Sequence, residues 1–294
     1  MQICDLHTHT TASDGSESPR ELLEKAEAVG LKAIAITDHD TVDGVRGLME
    51  SGALRRFQVE LIPGVELSVL APKGNMHILG YLINVESPGL METLSLVQRA
   101  RAHRNPRMVE KLKALGIPIT MGILDEMARG GQVGRPHFAR ALVELGAVRT
   151  VQEAFDSYLK RGAAAYVPKS VLEPRDAIEA IHAAGGVAVL AHPFSLKCDS
   201  TDELIRVVDE LVDNGLDGIE CYYSEHTGDF TRQLIRIARS RGLCVTGGTD
   251  YHGKAKSHIA LGHGRGGLNI PYECVEELVH RSRSCGTHQR KTAP

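Results

Sequence analysis

The sequence of 294 residues predicts an α/β fold, either a barrel or a layered sheet, into which a helical segment is inserted. Two observations indicate this class. Short apolar segments rich in β-branched residues alternate with amphipathic helical segments in the first and last thirds of the chain, a rhythm typical of strand–helix units. Between these parts, from about residue 92 to 158, the pattern is helical and more polar and contains no convincing strand.

The first third of the chain contains four predicted strands and two predicted helices. The first helix has a clear start signal, because Ser18 can cap it, Pro19 occupies its first position and Glu21 lies three residues after the cap. This helix ends at Gly30, and the second begins near Val42. The predicted strands are residues 3–6, 32–37, 61–70 and 75–83.

The last third repeats the alternation. The predicted helices are residues 175–184, 202–213 and 230–241, and the predicted strands are residues 187–191, 218–222 and 243–246. We therefore assign residues 1–91 and 167–281 to a discontinuous barrel domain and residues 92–166 to an inserted helical subdomain. The polar, basic segment 282–294 is predicted to be a mobile tail.

Composition and charge argue against several classes of protein. The formal net charge is −3 and Trp is absent, so neither a general attraction to nucleic acid nor a broad base-stacking platform is expected. The six cysteines form no CxxC pair, and we see no signal peptide and no apolar stretch of the ~20 residues that a membrane span needs. These features predict a cytoplasmic protein with reduced thiols, no membrane association and no obligate protein partner.

The strongest local signal is His7-Thr8-His9 at the end of the first predicted strand. Side chains two residues apart on a strand point the same way, so both imidazoles can reach one metal ion. Asp14 follows in a loop of Ser and Gly. An HxH pair by itself indicates little, because two surface histidines at this spacing also occur by chance.

The same arrangement recurs along the chain, with His, Asp or Glu at the ends of apolar strands. The residues concerned are His39, Glu66, His77, His192, Asp250 and His252. Any one of them alone is better explained as a capping carboxylate or a hydrogen-bonded core histidine. Together they predict a multinuclear metal site, because burying so many ionisable groups in one place without an ion would be costly. Nitrogen and oxygen ligands in this mixture suit Mn, Fe or Zn.

The order of these motifs resembles that of the polymerase and histidinol phosphatase (PHP) family. The matching segments are DLHTHTTASDG, ITDHDT, GVE, AHP and GTDYH, and they cover nearly the whole chain outside the insertion. The resemblance implies a distorted (β/α)7 barrel and up to three divalent metal ions, with Mn favoured and Fe or Zn as alternatives. Carried over by motif, it implies one ion on His7, His9 and Asp250, a second on Asp14, His39 and His252, a third on His77 and His192, and Glu66 as a bridge.

Within that family the chain resembles the stand-alone subgroup that acts on nucleoside 3′,5′-bisphosphates and on short RNA ends. The subgroup also carries an inserted helical segment, and the match lies around Gly134-Arg135-Pro136-His137. The resemblance implies a metal-dependent phosphoesterase that removes the 3′-phosphate and leaves a nucleoside 5′-monophosphate. Attack by a metal-activated water is expected, because no GxSxG or CxxxxxR-like nucleophile pattern is present.

Several basic and aromatic residues are candidates for substrate binding. Arg135 and His137 open a predicted helix after a Gly-rich loop, and Lys169 lies where the chain re-enters the barrel, so we predict that these three hold the phosphate that is not cleaved. A solvated capping cluster is the alternative. Two further sets of residues are also candidates, although a solvated helix face explains the first and ordinary packing explains the second equally well. They are Arg104, Arg107 and Lys111, which share one helical face and could steer an anion, and Tyr222 and Tyr223, which could stack on a base.

Other functions remain open at this point. A histidinol phosphate phosphatase would use the same metal cluster but should need an acidic pocket for the substrate amine. Stepwise 5′–3′ trimming of short RNA fits the same pocket if its outer end is open. A non-catalytic PHP module of a larger assembly is disfavoured by the complete ligand set, and a purely structural metal site is usually small, closed and four-coordinate.

Overall fold

The computed structural model describes residues 3–168 and 172–289, with side chains as far as Ser284. Seven strands form one sheet in chain order. They are β1 (Cys4–Asp5), β2 (Ala33–Ile36), β3 (Glu60–Val69), β4 (Met76–Tyr81), β5 (Val187–Leu190), β6 (Gly218–Tyr223) and β7 (Cys244–Gly248).

The helices surround this sheet and build the insertion. They are α1 (Pro19–Ala28), α2 (Asp43–Glu50), α3 (Pro88–Ala114), α4 (Met121–Ala128), α5 (Arg135–Glu144), α6 (Val151–Ala154), α7 (Pro174–Ala183), α8 (Thr201–Asp213), α9 (Gly228–Ser240) and α10 (Glu273–Gln289). Short 3-10 turns follow at Ala53–Arg56, Pro193–Leu196 and Gly253–Lys256, and a π-helical turn spans Phe155–Leu159. Within the described ranges, no helix combines the length and apolar character needed to cross a membrane.

The sheet curls into a nearly closed, distorted barrel. Strands β1 to β3 are parallel and so are β5 to β7, whereas β4 runs antiparallel to both of its neighbours. The first and last strands meet where the Leu6 backbone N–H donates to the Gly247 carbonyl at 3.1 Å and His9 N–H donates to Tyr251 at 2.9 Å. The distorted (β/α)7 barrel that the sequence predicts is confirmed, and the reversed β4 is its main distortion.

The elements predicted in the first and last thirds of the sequence are all present, with ends that differ by at most two residues. The reason is local, because β2 and β5 are fully apolar runs, the other strands are mostly apolar, and α1 carries the predicted capping box at Ser18 and Glu21. One boundary differs. The predicted mobile tail begins as a helix, because α10 continues through Ser282 to Gln289.

The insertion has a hydrophobic core of its own. One cluster of buried side chains fills the barrel and its helices, and a second joins α4, α5 and the end of α3. The long helix α3 belongs to both, because Leu90 and Leu94 pack into the barrel cluster whereas Met108 and Leu112 pack into the second. This shared helix holds the insertion against the barrel, on the side where the loops after β1 and β2 lie.

Candidate metal centre

The nine predicted ligands come together in one cluster at the barrel end where the parallel strands finish. His7 and His9 follow β1, His39 follows β2 and His192 follows β5. Asp250 and His252 follow β7, Asp14 lies in the loop before α1, and Glu66 lies within β3. The expectation that every ligand sits at a carboxyl end is wrong for His77, which is the second residue of β4 and reaches the cluster because β4 is antiparallel.

Glu66 is the centre of the cluster. Its carboxylate is fully buried, and its two oxygens lie 2.7 to 3.3 Å from imidazole nitrogens of five histidines: His7, His9, His39, His77 and His192. Oε1 faces one pair of these rings and Oε2 faces the other three. A carboxylate shared in this way is placed to contact more than one ion.

Asp14 and Asp250 lie on either side of the same rings. Asp14 Oδ1 is 3.2 Å from His252 Nε2 and 3.9 Å from His9 Nδ1, and its Oδ2 is 3.9 Å from His39 Nε2. Asp250 Oδ1 is 3.3 Å from His9 Nε2. Three carboxylates therefore alternate with imidazoles through the cluster.

Several of these atoms are buried without a hydrogen-bond partner among the described residues. They include His7 Nε2, His9 Nε2, Asp14 Oδ1, His39 Nδ1 and Glu66 Oε2. Leaving so many donors and acceptors unsatisfied in one place is costly, and nitrogen and carboxylate oxygen atoms are what divalent transition metals bind. Three groups have ligand atoms within 4.8 Å of one another: His9, Asp14, His39 and His252; His7, His9 and Glu66; and His39, Glu66 and His77. The residues present therefore fit a set of metal ions.

Charge and burial set the protonation of the cluster without metal. Burial acts against the charged form of each carboxyl, but neighbouring histidines outweigh it and hold the pKa values of Asp14 and Glu66 well below the usual range. Burial lowers the pKa of His77 and of His252 to about 4, so both imidazoles are neutral at pH 7 and keep a free lone pair. For His9 burial is opposed by Asp250 and Glu66, which raise its pKa to about 9.

Glu220 orients two of the ligand-bearing segments and was not predicted. Its buried Oε1 accepts from His7 Nδ1 at 2.9 Å, and its Oε2 accepts from the His192 backbone N–H at 2.6 Å. A carboxylate behind a metal-binding histidine fixes the ring orientation and the tautomer. The available signal was a glutamate inside the otherwise apolar strand Gly218–Tyr223.

Tyr223, and not Tyr222, faces the cluster. Its hydroxyl donates to Asp250 Oδ2 at 2.9 Å, and the same oxygen accepts from Lys256 Nζ at 2.6 Å. The pairing of β6 with β7 shifts register between Glu220 and Tyr222, and this irregularity turns both Glu220 and Tyr223 inward. Tyr222, the residue predicted to bind substrate, is instead partly buried and packs against the barrel core, near Cys274 and Glu277 of α10.

Comparison with known proteins identifies the architecture. The PHP domain matches residues 5–261. The chain belongs to the PHP family. A solved structure from Bifidobacterium adolescentis, described as that of a metal-dependent phosphoesterase, is 31% identical and superposes with a TM-score of 0.84, covering 95% of this chain and 96% of the other.

The curated relatives are PHP enzymes of differing specificity. The chain is 36% identical to the 5′-3′ exoribonuclease Rnm of Escherichia coli, over 85% of each chain. It is 33% identical to a 3′,5′-nucleoside bisphosphate phosphatase of Chromobacterium violaceum, over 90% of this chain and 92% of the relative. It is also 33% identical to a phosphoribosyl 1,2-cyclic phosphate 1,2-diphosphodiesterase of Eggerthella lenta, over 86% and 95%. The protein is a metal-dependent PHP phosphoesterase, and the relatives differ in the substrate they are named for.

The start of α5, which belongs to the insertion, lies on the side of the cluster of predicted metal ligands. Arg135 is the first residue of α5 and His137 the third, and the Gly134 backbone N–H donates to His137 Nδ1 at 2.9 Å. Burial lowers the pKa of His137 to about 4, so its ring is neutral and carries its proton on Nε2. Asp14 is among the groups that act on this ring, which places α5 beside the metal ligands. Lys169, the third predicted clamp residue, lies outside the described residues.

The basic residues of α3 do not form the steering face that the sequence predicts. Arg107 and Lys111 are exposed, and Lys111 Nζ donates to the Tyr166 carbonyl at 2.8 Å. Arg104 is instead buried, so the three residues do not form one solvated face. Arg101, which was not predicted, hydrogen-bonds to the carboxylate of Asp40 in the loop after β2. The sequence predicted one basic surface on this helix, whereas the structure buries Arg104, directs Arg101 to Asp40 and leaves Arg107 exposed.

Proposed function

We propose that this phosphoesterase hydrolyses the 3′-phosphate of nucleoside 3′,5′-bisphosphates, such as adenosine 3′,5′-bisphosphate, to a nucleoside 5′-monophosphate and phosphate. The observation that carries the proposal is a group of arginines on the insertion in which Arg104 is buried and Arg101 and Arg135 are partly buried, and in which Arg101 pairs with Asp40, the residue after the predicted ligand His39. A substrate with a phosphate on each side of a ribose needs both a metal cluster and a cationic group at once. The name of the Chromobacterium violaceum relative agrees with this reading.

The metal ligands are proposed in three sets. We infer one ion on His7, His9 and Asp250, a second on Asp14, His39 and His252, and a third on His77 and His192, with Glu66 between them. Bound divalent ions supply an activated water and neutralise charge on the phosphoryl oxygens. We propose Mn as the native metal, with Fe or Zn as alternatives, since all three accept mixed imidazole and carboxylate ligands.

The arginine group has more positive than negative charge. Burial and then the charges of Arg101 and Arg135 lower the pKa of Arg104 to about 9, so the guanidinium groups lie close enough to act on one another. Asp40 is the carboxylate that faces them. Arg101 Nε is buried without a hydrogen-bond partner among the described residues. A dianionic phosphate would supply the missing acceptors and offset the mutual repulsion.

We assign the retained 5′-phosphate to Arg135, His137 and Lys169, assisted by Arg101. His137 donates from Nε2 as a neutral ring, because its Nδ1 already accepts from Gly134. Arg140 lies one helical turn after His137, is influenced by the charge of Asp14, and has a buried Nε without a partner in the described part of the chain. It is therefore placed to contact the substrate between the clamp and the metal ligands.

Histidinol phosphate fits this site less well. Its amine is cationic at neutral pH, and the adjacent part of the insertion presents the guanidinium groups of Arg104 and Arg135 where acidic groups would be needed. Cleavage of short RNA at the same metal cluster is the second candidate function, and a groove on the outer side of the Asp14 loop favours it.

The location of the protein is inferred from its thiols. Among residues whose side chains are described, Cys4, Cys198, Cys221, Cys244 and Cys274 are free. Free thiols are normal in the reducing cytoplasm and unusual in exported proteins. We therefore propose that this phosphoesterase acts in the cytoplasm.

The proposed clamp is tested by replacing Arg135. In Arg135→Ala we expect KM for adenosine 3′,5′-bisphosphate to rise by about tenfold or more, because a charge-assisted contact to the 5′-phosphate is lost. Adenosine 3′-monophosphate has no 5′-phosphate, so its KM should hardly change. The measurement is phosphate release from both substrates by the manganese-loaded chain, with Arg149→Ala, an exposed arginine of the insertion, as the matched control. An equal effect of Arg135→Ala on both substrates would contradict the assignment.

A further inference from the structure

A groove runs along the outer side of the loop that carries Asp14. It consists of two adjoining cavities of about 450 and 500 Å³, which share Thr11, Ser18 and Arg129 as lining residues. One wall is the segment from Thr11 to Ser18, and the other comes from the insertion at Arg129–Gln132 and from α2. Of the described residues that are assigned to the metal ions or to the 5′-phosphate, none lines either cavity.

Part of the first cavity is a slot lined by small residues, and Arg20, Asp43, Arg129 and Gln132 also line the cavity. Four glycines line it: Gly44, Gly47, Gly130 and Gly131. Leu48 and Ala12 add apolar surface. A side chain built at Gly47 would meet no atom within 4 Å, so this part of the slot is open space. Bare backbone and apolar groups on facing walls suit a flat, sequence-independent partner such as a nucleobase.

The second cavity carries positive charge. Arg129 and Lys254 line it together with the hydroxyls of Ser16 and Thr11. No carboxylate of the described residues lies within ion-pair distance of either cation. The acidic side chains in the lining are already engaged, since Glu17 accepts from Lys25 at 2.7 Å and Glu21 accepts from the Ser18 hydroxyl at 2.7 Å.

The groove is joined to the metal centre through its walls. The Ser16 backbone N–H donates to the carbonyl of the ligand His252 at 3.1 Å, and the Lys254 N–H donates to Ser16 Oγ at 2.7 Å. On the other side, Gln132 Nε2 donates at 3.0 Å to the carbonyl of Asp40, which directly follows the ligand His39. The base slot and the cationic cavity are therefore built on the segments that carry the metal ligands.

We propose that this groove binds the part of a short RNA strand that lies beyond the scissile phosphate. The next base would occupy the glycine slot, and the phosphate after it would contact Arg129 and Lys254. This inference rests on the proposed function of the metal centre. The same bond breaks in both substrates: water adds its oxygen to phosphorus, the P–O3′ bond breaks, and the 3′-oxygen leaves with a proton. In RNA the cleaved phosphate stays on the 5′ end of the remaining strand.

The test compares a substrate that has no downstream nucleotide with one that has two. Adenosine 3′,5′-bisphosphate and a 5′-phosphorylated triadenylate are cleaved by the manganese-loaded chain and by the variant Arg129→Ala/Lys254→Ala. We expect KM for the triadenylate to rise by about tenfold, because two contacts to a backbone phosphate are lost. KM for the bisphosphate and kcat for both substrates should stay the same. Arg149→Ala/Lys160→Ala removes two exposed cations of the insertion and serves as the charge-matched control.

The slot is tested separately by filling it. Gly47→Leu adds a side chain where no atom is in the way, in a helix that should become more stable, so loss of folding is not expected. Gly47→Leu should raise KM for the triadenylate and leave KM for the bisphosphate unchanged. Gly122→Leu, on the exposed side of α4, should change neither KM.

The outcomes separate the two proposals. The proposal that the groove binds RNA is contradicted if both groove variants leave KM for the triadenylate unchanged, or if the wild-type chain cleaves the bisphosphate and does not cleave the triadenylate. If the wild-type chain cleaves RNA but releases no phosphate from the bisphosphate, the proposed function fails, and a selective loss in the groove variants still supports the groove.

Discussion

Asp250 shows how single residues prepare the cluster for metal. Its backbone is in the left-handed region, with φ of 57°, which an aspartate adopts less readily than a glycine. Its Oδ2 accepts from Tyr223 and from Lys256, and this leaves Oδ1 directed at His9. In the same way, Glu220 orients the His7 ring, because its Oε1 accepts a hydrogen bond from His7 Nδ1. The predicted ligands are thus held in place by neighbours that are not themselves among the predicted ligands.

The adjacent tyrosines give a matched test at the residue scale. Tyr223→Phe removes the hydrogen bond to Asp250 Oδ2 and should weaken manganese binding by about tenfold, in line with other supporting groups of metal ligands. Tyr222→Phe, on the opposite side of β6, should leave it unchanged. Metal binding is measured by titrating metal-free protein and counting bound ions. Equal affinities for the two variants would show that the Tyr223 hydroxyl has no such role.

At the scale of elements, the barrel closes because β7 ends in two glycines. A Cβ at Gly248 would lie 2.0 Å from the Cβ of His7 and 2.5 Å from its backbone nitrogen. A Cβ at Gly247 would lie 2.4 Å from the Cβ of Tyr222. The first and last strands can therefore approach only if position 248 has no side chain, and this approach carries His7 and Asp250 to the same place, whereas the missing side chain at 247 lets β7 lie against β6.

Gly248→Ala should accordingly destabilise the fold. We expect a loss of about 1–3 kcal/mol in the free energy of unfolding, because backbone must move to admit the new methyl group. Gly47→Ala is the control, since its methyl meets nothing and alanine favours a helix by up to about 1 kcal/mol. Thermal unfolding of both variants gives the comparison. A Gly248→Ala variant as stable as the wild type would mean that β1 and β7 tolerate a wider separation.

The loop after β2 is one of the connections between the insertion and the barrel. Asp40, with φ of 54°, follows the ligand His39 and accepts a hydrogen bond from Arg101 of α3. Its backbone carbonyl accepts from Gln98 and Gln132 at 3.0 Å each. The carbonyl of Glu66 accepts from the Asp40 N–H at 2.9 Å. One residue therefore connects both α3 and the loop before α5 to the strand that carries the central glutamate.

At the scale of the whole molecule, metal binding is linked to pH. In the metal-free chain His9 has its pKa raised to about 9, above the ordinary value of 6.5, so the folded state holds a proton that the unfolded state releases. This contribution to stability is present below about pH 6.5 and is lost as pH rises through about 9. Below pH 6.5 His77 and His252 act in the opposite direction, because their pKa values are lowered to about 4.

Metal removal should therefore matter more at alkaline pH. Metal competes with the proton on His9, so manganese affinity should increase between pH 6.5 and 9. At a fixed manganese concentration we expect the difference in Tm between loaded and chelator-treated protein to be larger at pH 8.5 than at pH 6.5. Calorimetry with and without chelator measures this difference. A Tm difference that becomes smaller as pH rises would contradict the expected increase in manganese affinity.

The sequence by itself predicted the order of strands and helices in the first and last thirds of the chain and the set of candidate ligands, but it did not predict α10. The strands are short and mostly apolar, and α1 has its own capping signals, so these elements depend on local pattern. The ligand motifs lie at strand ends, where a parallel barrel brings residues together whatever the details of packing. This is why His7, His39 and His252, far apart in the chain, were predicted to meet.

Tertiary structure alone decided which neighbouring residue faces the site. A register shift in β6 turned Tyr223 inward in place of Tyr222, and the reversal of β4 allowed His77 to contribute from a strand beginning. Packing of α3 on the barrel buried Arg104 and directed Arg101 to Asp40. Local periodicity contains no information about these choices, because they depend on how separate elements pair and pack, and one residue of register reverses the face of a strand.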